Sequence, residues 1–501
     1  TATANDRVTE DVRQQLGPST AVFRGTLART SLTLSVISGL SATERFAWVA
    51  AALATLPGSG IIYTLTVQEA ERLANFLQSC GYNVPAYTGQ METADRLLIE
   101  QQLRSNQLKA VVATSALGMG YDKPDLGFCL HVGSPSTPVA YYQQIGRAGR
   151  ALEHAEAILL PASSDERIWE YFATANVPNQ DIADRTLDAL SRQPLSVIDL
   201  EASTSIRRGR LEALLRILAV DDAVRKDGSK WVATGKPWIY DNRKWDALIN
   251  ARQQEATIMR NYAHGRGCLM AWLQQALSDP NPAPCGKCSV CSGRLPAPGL
   301  QVDPQLVQQA QQFLRGVDVP VEPRLQWPKG CSRRGKIQTD LSIRSVAFAD
   351  DPGWTEELAR FEHSQDRSIP QELLDGAVQL LKRWKATWHQ RPVAVIPAPA
   401  PARDMVANRQ LAQHIATVGK LPLLDCLTWN GPACPENLPS APHVQHLERC
   451  IRLQPATQLP AGPVLLCAAT ARTMWTLNVT AALLAESGTA GALALVLHRQ
   501  P

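Results

Sequence analysis

Residues 57 to 161 alternate short apolar segments with amphipathic segments, and this alternation restricts the fold more than any other feature. Apolar runs typical of buried strands occur at 60–65, 84–87, 109–114, 126–132 and 156–160. The i, i+3, i+4, i+7 spacing of a helix follows the first run, at Ala70, Leu73, Ala74 and Leu77. Strands that alternate with helices form βαβ units with parallel strands. The sequence therefore predicts an α/β domain.

The segment 141–150, with the sequence YYQQIGRAGR, carries the sharpest functional signal. Arg147 and Arg150 are three residues apart and can share one face of a helix. Two guanidinium groups suit a triphosphate, because each presents forked donors and stays charged. Gly146 and Gly149 allow the backbone to approach another surface closely. The alternative is a solvated basic helix end, but the preceding segment favours the phosphate site.

That preceding segment, 111–124, has the sequence VVATSALGMGYDKP and predicts a strand that runs into a glycine-containing loop. Together the two segments resemble motifs V and VI of superfamily-two helicases, and their sequences are most similar to those of RecQ-like DNA helicases. Residues 1–4 (TATA) resemble motif III, which closes the first RecA-like domain, and residues 61–64 (IIYT) resemble motif IV. The resemblance covers roughly residues 1 to 180. In this family a His usually stands at the position of Thr88.

The resemblance implies an ATP site between two RecA-like domains, of which the second supplies arginines. It assigns a catalytic role to three residues: Gln143, Arg147 and Arg150. It assigns nucleotide binding to Gly118, Gly120 and Asp122, and contact with the DNA backbone to Thr114 and Ser115. The activity implied is ATP hydrolysis coupled to DNA unwinding, from 3′ to 5′, on single-stranded DNA and on duplexes with a 3′ tail.

The other half of such an ATP site has no counterpart in these 501 residues. None of the Gly-Lys pairs is followed by Ser or Thr, and no Asp-Glu-x-His run occurs. We expect the phosphate loop and the Mg²⁺-binding acids to lie upstream of Thr1, in a first RecA-like domain that completes the motor. We therefore expect this chain not to hydrolyse ATP by itself.

Four of the eleven cysteines predict a metal site. Sixteen residues separate Cys268 from Cys285, and Cys288 and Cys291 follow in Cys-x-x-Cys steps. Four thiolates satisfy tetrahedral Zn²⁺ and leave no open position, so the zinc would be structural. A Cys₃His site that uses His264 in place of the first cysteine is a minor alternative. The spacing also resembles the zinc subdomain of RecQ-like helicases.

The cysteine pattern and the hydropathy also bear on location. Scattered cysteines beside one metal cluster favour a reduced compartment, and we expect the cytoplasm. The longest near-continuous apolar run, 46–56, is too short to span a bilayer, so no membrane partner is expected. The net charge is only +4, so any surface that binds nucleic acid must be local.

Residues 183 to 245 predict two helices and a hairpin, an arrangement that resembles a winged helix. Asp227-Gly228 between strand-like segments is a strong turn signal. Between residues 203 and 230, seven basic minus four acidic side chains leave a local charge of +3. The candidate DNA contacts are Arg207, Arg208, Arg210, Lys226 and Lys230, with Trp231 as a candidate wedge for the duplex. The alternative is a solvated helix face.

The C-terminal region, 345–501, predicts a second α/β domain, which resembles the type I phosphoribosyltransferase fold. The family places two acidic residues after an apolar strand and a Thr-Gly step in the phosphate loop. This sequence has Ala468-Ala469 in place of the acidic pair and Thr473-Met474 in place of the Thr-Gly step, so we expect a degenerate domain. The full expected order is 1–35 end of a first RecA-like domain, 36–182 second RecA-like domain, 183–245 winged helix, 246–293 zinc subdomain, 294–344 linker and 345–501 phosphoribosyltransferase-like domain.

Two other classes of function remain open from the sequence. One is a zinc-stabilised DNA-binding protein that uses the motor fold only as a clamp. The other is a phosphoribosyltransferase that is targeted to DNA, which the missing acidic pair argues against.

Overall fold

The structure is a computed structural model, and it describes residues 6–17, 20–117, 121–174, 177–204, 206, 208–328, 330–349, 351–435, 438–455 and 457–500. The chain divides into two compact units. One comprises Thr1–Val177 and Asp241–Leu314, and the other comprises Pro178–Tyr240 and Arg315–Pro501. Among the described helices, none combines the length and the apolar character needed to cross a membrane.

The first part of the chain forms a six-stranded parallel sheet with the order β1-β6-β5-β2-β4-β3. Its strands are β1 (Leu32–Val36), β2 (Ser59–Thr64), β3 (Ala86–Tyr87), β4 (Ala110–Ala113), β5 (Leu126–Val132) and β6 (Ala155–Leu160). Its helices are α1 (Asp6–Leu16), α2 (Ala42–Leu53), α3 (Val67–Ser79), α4 (Thr93–Arg104), α5 (Pro138–Ile145) and α6 (Asp165–Thr174). The predicted parallel α/β sheet is confirmed. Strand β1 spans the domain boundary that we expected at residues 35 and 36.

Side-chain caps determine where the helices of this sheet begin. Ser41 caps α2 in a complete capping box with Glu44. Thr66 caps α3 by accepting a hydrogen bond from the backbone N–H of Glu69. Thr137 caps α5, which has proline at its first position. Each cap satisfies an N–H group that lacks a partner within the helix, so the local sequence fixes the start of the helix.

Residues 178–240 form a small domain with its own core. Its elements are α7 (Gln180–Arg192), α8 (Val197–Thr204), α9 (Arg208–Val220), β7 (Val224–Asp227) and β8 (Lys230–Ala233). Strands β7 and β8 pair in an antiparallel hairpin, and Gly228 in the turn has a φ of 58°. The backbones of Trp231 and Leu195 exchange two hydrogen bonds of 2.8 and 3.1 Å, and the indole packs against the leucine core. Trp231 therefore helps to pack the hairpin against the helices, and its role as a wedge for the duplex stays a prediction.

The chain then returns to the first unit with α10 (Asn242–Ala263), α11 (Leu269–Ala276), α12 (Ser289–Ser292) and α13 (Pro304–Gly316). One face of the sheet packs against buried residues of α10 and α11, such as Met259 and Leu273. The opposite face packs against α2, α3 and, in α13, Ala310 and Leu314. The segment 294–344 was expected to be a linker, but α13 lies within it and buries an apolar face of its own.

The last part of the chain forms a five-stranded sheet with the order β11-β14-β15-β10-β9. Its strands are β9 (Val319–Val321), β10 (Leu341–Phe348), β11 (Ala394–Pro397), β14 (Val464–Ala471) and β15 (Ala492–Arg499), and all pairs are parallel except that of β9 with β10. Strands β12 (Leu427–Trp429) and β13 (Ile451–Leu453) form a separate pair. The helices are α14 (Thr355–His363), α15 (Gln371–Trp384), α16 (Ala402–Gly419), α17 (Ser440–Cys450) and α18 (Trp475–Glu486), with a short 3₁₀ helix at Lys385–Thr387.

Candidate functional site

The arginine segment after α5 is held against the first residue of β5. The N–H of Gly149 donates to the carbonyl oxygen of Leu126 over 2.9 Å. Gly149 has a φ of 66°, and a Cβ atom there would lie 2.9 Å from the Oγ of Ser31. Any other residue would be strained and would clash, so glycine is required at this turn.

Arg147 points back towards the loop between β4 and β5. Its Nη1 donates to the carbonyl oxygen of Tyr121 over 2.9 Å, and its buried Nε has no hydrogen-bond partner among the described residues. The hydroxyl of Tyr63 lies nearby and donates to the carbonyl oxygen of Leu117 over 3.1 Å. Burial, followed by the neighbouring Cys129, raises the pKa of Tyr63 well above its ordinary value, so the phenol is neutral.

Arg150 makes an ion pair with the same loop. Its Nη1 lies 2.8 Å from Oδ1 of Asp122, and its Nε donates to the carbonyl oxygen of Gly146 over 3.2 Å. The two side chains are 44% and 65% exposed, so both can reach a ligand in solvent. The structure therefore brings together the predicted residues Arg147, Arg150 and Asp122.

A third arginine, Arg29, binds the backbone of the segment that carries Arg147 and Arg150. Its Nη1 and Nη2 donate to the carbonyl oxygens of Gly146 and Ala148, over 3.2 and 3.3 Å. The hydroxyl of Tyr142 donates to the carbonyl oxygen of Leu27 over 2.6 Å, which joins the same two stretches of chain. Sequence reasoning missed Arg29, because it lies more than 110 residues from its partners and belongs to no recognisable motif.

The other predicted residues of this site lie on the neighbouring turns. Gln143 is exposed on α5. Thr114 and Ser115 follow β4, and Oγ1 of Thr114 accepts a hydrogen bond from the N–H of Ala116 over 3.4 Å. Gly118 and Gly120 lie outside the described residues. Their predicted role in nucleotide binding stays a prediction.

His131 is a buried histidine of β5 beneath the arginine segment, which sequence reasoning also missed. Its Nε2 lies 2.8 Å from Oε1 of Gln144, and its ring stacks on Tyr63 and meets the edge of Tyr141. Burial lowers its pKa to about 4, although the hydrogen bond to Gln144 opposes the shift. The imidazole is therefore neutral near pH 7 and fixes the last turn of α5. A histidine within an otherwise apolar strand was the signal that could have identified it.

The four predicted cysteines converge on one point. The Sγ atoms of Cys268, Cys285, Cys288 and Cys291 all lie within 4.8 Å of one another. Four sulfurs at about 2.3 Å from a tetrahedral Zn²⁺ would lie about 3.8 Å apart, so the cluster fits this ion.

The backbone around the cysteine cluster supports the thiolate form. The N–H of Cys285 lies 3.1 Å from Sγ of Cys268, and the N–H of Cys288 lies 3.3 Å from Sγ of Cys285. Such N–H···S contacts stabilise negative charge on sulfur. His264 places its Nδ1 2.7 Å from the carbonyl oxygen of Arg260 and is not among the converging ligand atoms.

The candidate DNA contacts in residues 178–240 are exposed. Arg208, Arg210, Lys226 and Lys230 all reach solvent, and Arg208 pairs with Glu212 over 2.8 Å between Nε and Oε1. Arg207 lies outside the described residues. The basic side chains are accessible to a phosphate backbone, and their role stays a prediction.

The domain expected to be a degenerate phosphoribosyltransferase is apolar at the positions where the family has its acidic pair. Strand β14 continues through Ala468 and Ala469, which are 4% and 2% exposed. The amide of buried Asn408 donates to the carbonyl oxygen of Ala398 and accepts from the N–H of Ala469, both over 2.7 Å. The strand was expected to end at Ala468, but it continues to Ala471 and so contains both alanines. They present no acceptor for ribose hydroxyl groups.

Residues 45–152 match the family described as helicase conserved C-terminal domain. The chain is 35% identical over 187 residues to the probable ATP-dependent DNA helicase RecS of Bacillus subtilis, covering 37% of this chain and 38% of that protein. It is 29% identical over 248 residues to ATP-dependent DNA helicase RecQ of Synechocystis, covering 47% and 49%. For ATP-dependent DNA helicase Q1 of Mus musculus, identity is 34% over 185 residues, covering 36% and 28%.

The chain therefore spans less than half of the length of these relatives. Similar solved structures include a Leu-to-Val variant of S. cerevisiae Dbp5 bound to RNA and ADP BeF3, at 22% identity and a TM-score of 0.31, covering 34% of this chain and 48% of that chain. So low a TM-score supports no conclusion. Over parts of its length the chain is therefore similar to ATP-dependent DNA helicases, and residues 45–152 match the helicase C-terminal family.

Proposed function

We propose that this chain is the C-terminal portion of a RecQ-like ATP-dependent DNA helicase, which couples ATP hydrolysis to the unwinding of duplex DNA from 3′ to 5′. The observation that carries the proposal is the convergence of Arg147, Arg150 and Asp122 around the loop that follows β4. Two forked guanidiniums and one carboxylate, all beside a glycine-containing loop, suit a nucleoside triphosphate. The match of residues 45–152 to the helicase C-terminal family supports the same conclusion.

In the proposed motor, the second RecA-like domain supplies Arg147 and Arg150 to the transferring phosphate. Positive charge at that position stabilises the negative charge that spreads over the phosphoryl oxygens in the transition state. Gln143 couples the nucleotide to the interface with the first domain, and Gly118, Gly120 and Asp122 complete the nucleotide contacts. Mg²⁺ and the β-phosphate are held by the first RecA-like domain, upstream of Thr1. The chain of 501 residues does not hydrolyse ATP alone.

DNA is the proposed partner, as single strands and as duplexes with a 3′ tail. Thr114 and Ser115 contact its backbone from the motor domain. The domain of residues 178–240 acts as a winged helix, in which Arg207, Arg208, Arg210, Lys226 and Lys230 contact phosphates. Its exposed basic residues and its hairpin support this assignment.

Zinc is the proposed structural cofactor of the cysteine cluster. All four coordination positions are filled by thiolates, so the ion offers no open position for catalysis. Because the ligands must stay reduced, the protein would function in the cytoplasm. The C-terminal sheet is proposed to be a degenerate phosphoribosyltransferase-like domain without transferase activity.

The decisive experiment compares this chain with a version that extends upstream of Thr1 through the first RecA-like domain. We expect DNA-stimulated ATP hydrolysis, and unwinding of a 3′-tailed but not a 5′-tailed duplex, only in the extended protein. Robust ATPase activity of the 501 residues alone would disprove the division of the ATP site. An extended protein that binds DNA without hydrolysing ATP would favour a zinc-stabilised DNA-binding protein instead.

A further inference from the structure

The C-terminal sheet carries a cavity that none of the proposed chemistry uses. Its volume is about 510 Å³, within the range of small-molecule sites. The strands β10 and β15 contribute their first residues, Leu341 and Ala492, and Pro463 lies directly before β14. The cavity therefore lies at the amino edge of the parallel strands. Open α/β sheets usually bind ligands at the carboxyl edge, so this cavity is separate from any phosphoribosyl site.

Two tryptophans line the cavity on the side of the 3₁₀ helix. The rings of Trp384 and Trp388 are 6.0 Å apart and meet at 73°. The Nε1 atom of Trp388 is buried and has no hydrogen-bond partner among the described residues. A buried donor without a partner is costly, so a ligand that offers an acceptor there would gain both a hydrogen bond and contact with an indole face.

Charged groups of both signs line the rest of the cavity. Glu322 and Asp340 contribute carboxylates and are exposed, whereas Arg344 is half-buried. Carboxylates accept hydrogen bonds from amino and imino groups, and a guanidinium donates to paired acceptors. The two negative charges against one positive charge oppose the binding of a phosphate group within the cavity.

From this combination we propose that the cavity binds a guanine base. Guanine is planar, and its Watson–Crick edge presents adjacent N1–H and N2–H donors that match the carboxylates of Glu322 and Asp340. Its O6 and N7 atoms are adjacent acceptors, which suit the forked donors of Arg344. The Nε1 of Trp388 supplies one more donor, and the indoles supply a surface for the base. Adenine and cytosine each offer a single amino donor on this edge, so neither presents the paired donors.

The base can come from a free nucleoside or from an unpaired guanine in a DNA strand, and both share this chemistry. The experiment uses the full chain and titrates guanosine by calorimetry, beside adenosine and cytidine. A second arm titrates a short oligothymidine strand that carries one central deoxyguanosine, against the same strand without it. A preference for the guanine-containing strand over guanosine would identify DNA as the source, and the reverse would identify the nucleoside.

The variants are chosen to remove one hydrogen-bonding group each. Asp340→Asn should weaken guanosine binding about ten-fold or more, because it removes a charged acceptor, and Trp388→Phe should weaken it about two- to ten-fold. Glu356→Gln and Trp429→Phe do not change the cavity lining and serve as matched controls. All variants are compared by thermal unfolding to confirm that they remain folded.

The proposal predicts one saturable site for guanosine, with adenosine and cytidine much weaker. The absence of saturable binding at millimolar guanosine would overturn it. Equal binding of all three nucleosides would also overturn it, since the cavity would then not distinguish the hydrogen-bonding groups of the bases. Unchanged affinity in folded Asp340→Asn and Trp388→Phe proteins would show that guanosine binds elsewhere, and that outcome also refutes the assignment. None of these outcomes depends on ATP hydrolysis.

Discussion

Arg150 and Asp122 form an ion pair of 2.8 Å between segments that lie 28 residues apart, and the pair sits on the surface of the proposed ATP site. Exposed pairs of this kind stabilise a fold by about 0.2 to 1 kcal/mol, so the pair does not hold the domain together. In the proposed motor its consequence is geometric: the carboxylate would orient the guanidinium until a phosphate competes for it.

We first predict that Arg150→Ala lowers kcat for ATP hydrolysis in the upstream-extended protein by about 10³ to 10⁵, with little change in DNA affinity. Asp122→Asn should lower kcat less, and the double variant should lose less than the sum of the two effects, because the residues act as a pair. The surface pair of Arg192 with Asp188 provides the control: Arg192→Ala breaks a similar exposed pair and should leave kcat unchanged. Strictly additive effects would show that Asp122 does not act through Arg150.

Arg147 is the subject of the second prediction. Arg147→Lys keeps the positive charge but removes the fork that reaches the carbonyl oxygen of Tyr121. We expect a loss of kcat close to that of Arg147→Ala, because a single ammonium group cannot make both contacts. Steady-state ATPase assays at saturating DNA measure this loss. Near-normal activity of the lysine variant would mean that only the charge matters.

The sequence predicted the parallel sheet and the arginine segment, and particular residues show why other parts of the site could not be predicted. The strands at Ile61 and Val111 could be predicted, because their apolar runs are visible in the local sequence. The sequence also indicated Arg147 and Arg150, because the two residues are only three positions apart. Arg29 and His131 have partners that only the folded chain brings near. No local pattern marks Arg29, and His131 is marked only by its place in an otherwise apolar strand. The sequence predicted that β14 ends at Ala468 rather than at Ala471, because an apolar run does not reveal where its strand ends.

Our third prediction concerns the cysteine cluster. Elemental analysis should find one Zn²⁺ per chain, and Cys288→Ser should lower the zinc content and the melting temperature, because Cys288 is both a proposed ligand and part of the buried core. Cys426→Ser replaces a buried thiol of the C-terminal domain and should keep the zinc. A folded protein that contains no metal when purified without chelators would rule out the site.

The fourth prediction follows from the lowered pKa of His131. Its pKa in the folded chain is about 4, against an ordinary value of 6.5, so the unfolded chain binds the proton more readily. The stabilising contribution of the neutral imidazole is therefore complete above about pH 6.5 and is lost as the pH falls towards 4.

Thermal unfolding of the wild type and of His131→Asn from pH 4 to 8 measures this effect. The difference between the two proteins should shrink as the pH falls, and taking the difference cancels the loss of zinc in acid, which both proteins share. A difference that stays constant over the whole range would mean that His131 does not titrate in this window.

The last prediction tests whether the basic face of residues 178–240 binds DNA. Replacing Arg207, Arg208 and Arg210 together with alanine should weaken binding and reduce the slope of log affinity against log salt, by about 0.9 for each lost phosphate contact on duplex DNA. Arg208 also pairs with Glu212, so Glu212→Gln should free its guanidinium and strengthen binding slightly. Arg449→Ala, at an exposed arginine of α17, is the control for the loss of positive charge alone. Salt titrations by fluorescence anisotropy give each slope. If the triple variant and the control show the same slope as the wild type, the three arginines make no phosphate contact, and the DNA contacts of this chain lie elsewhere.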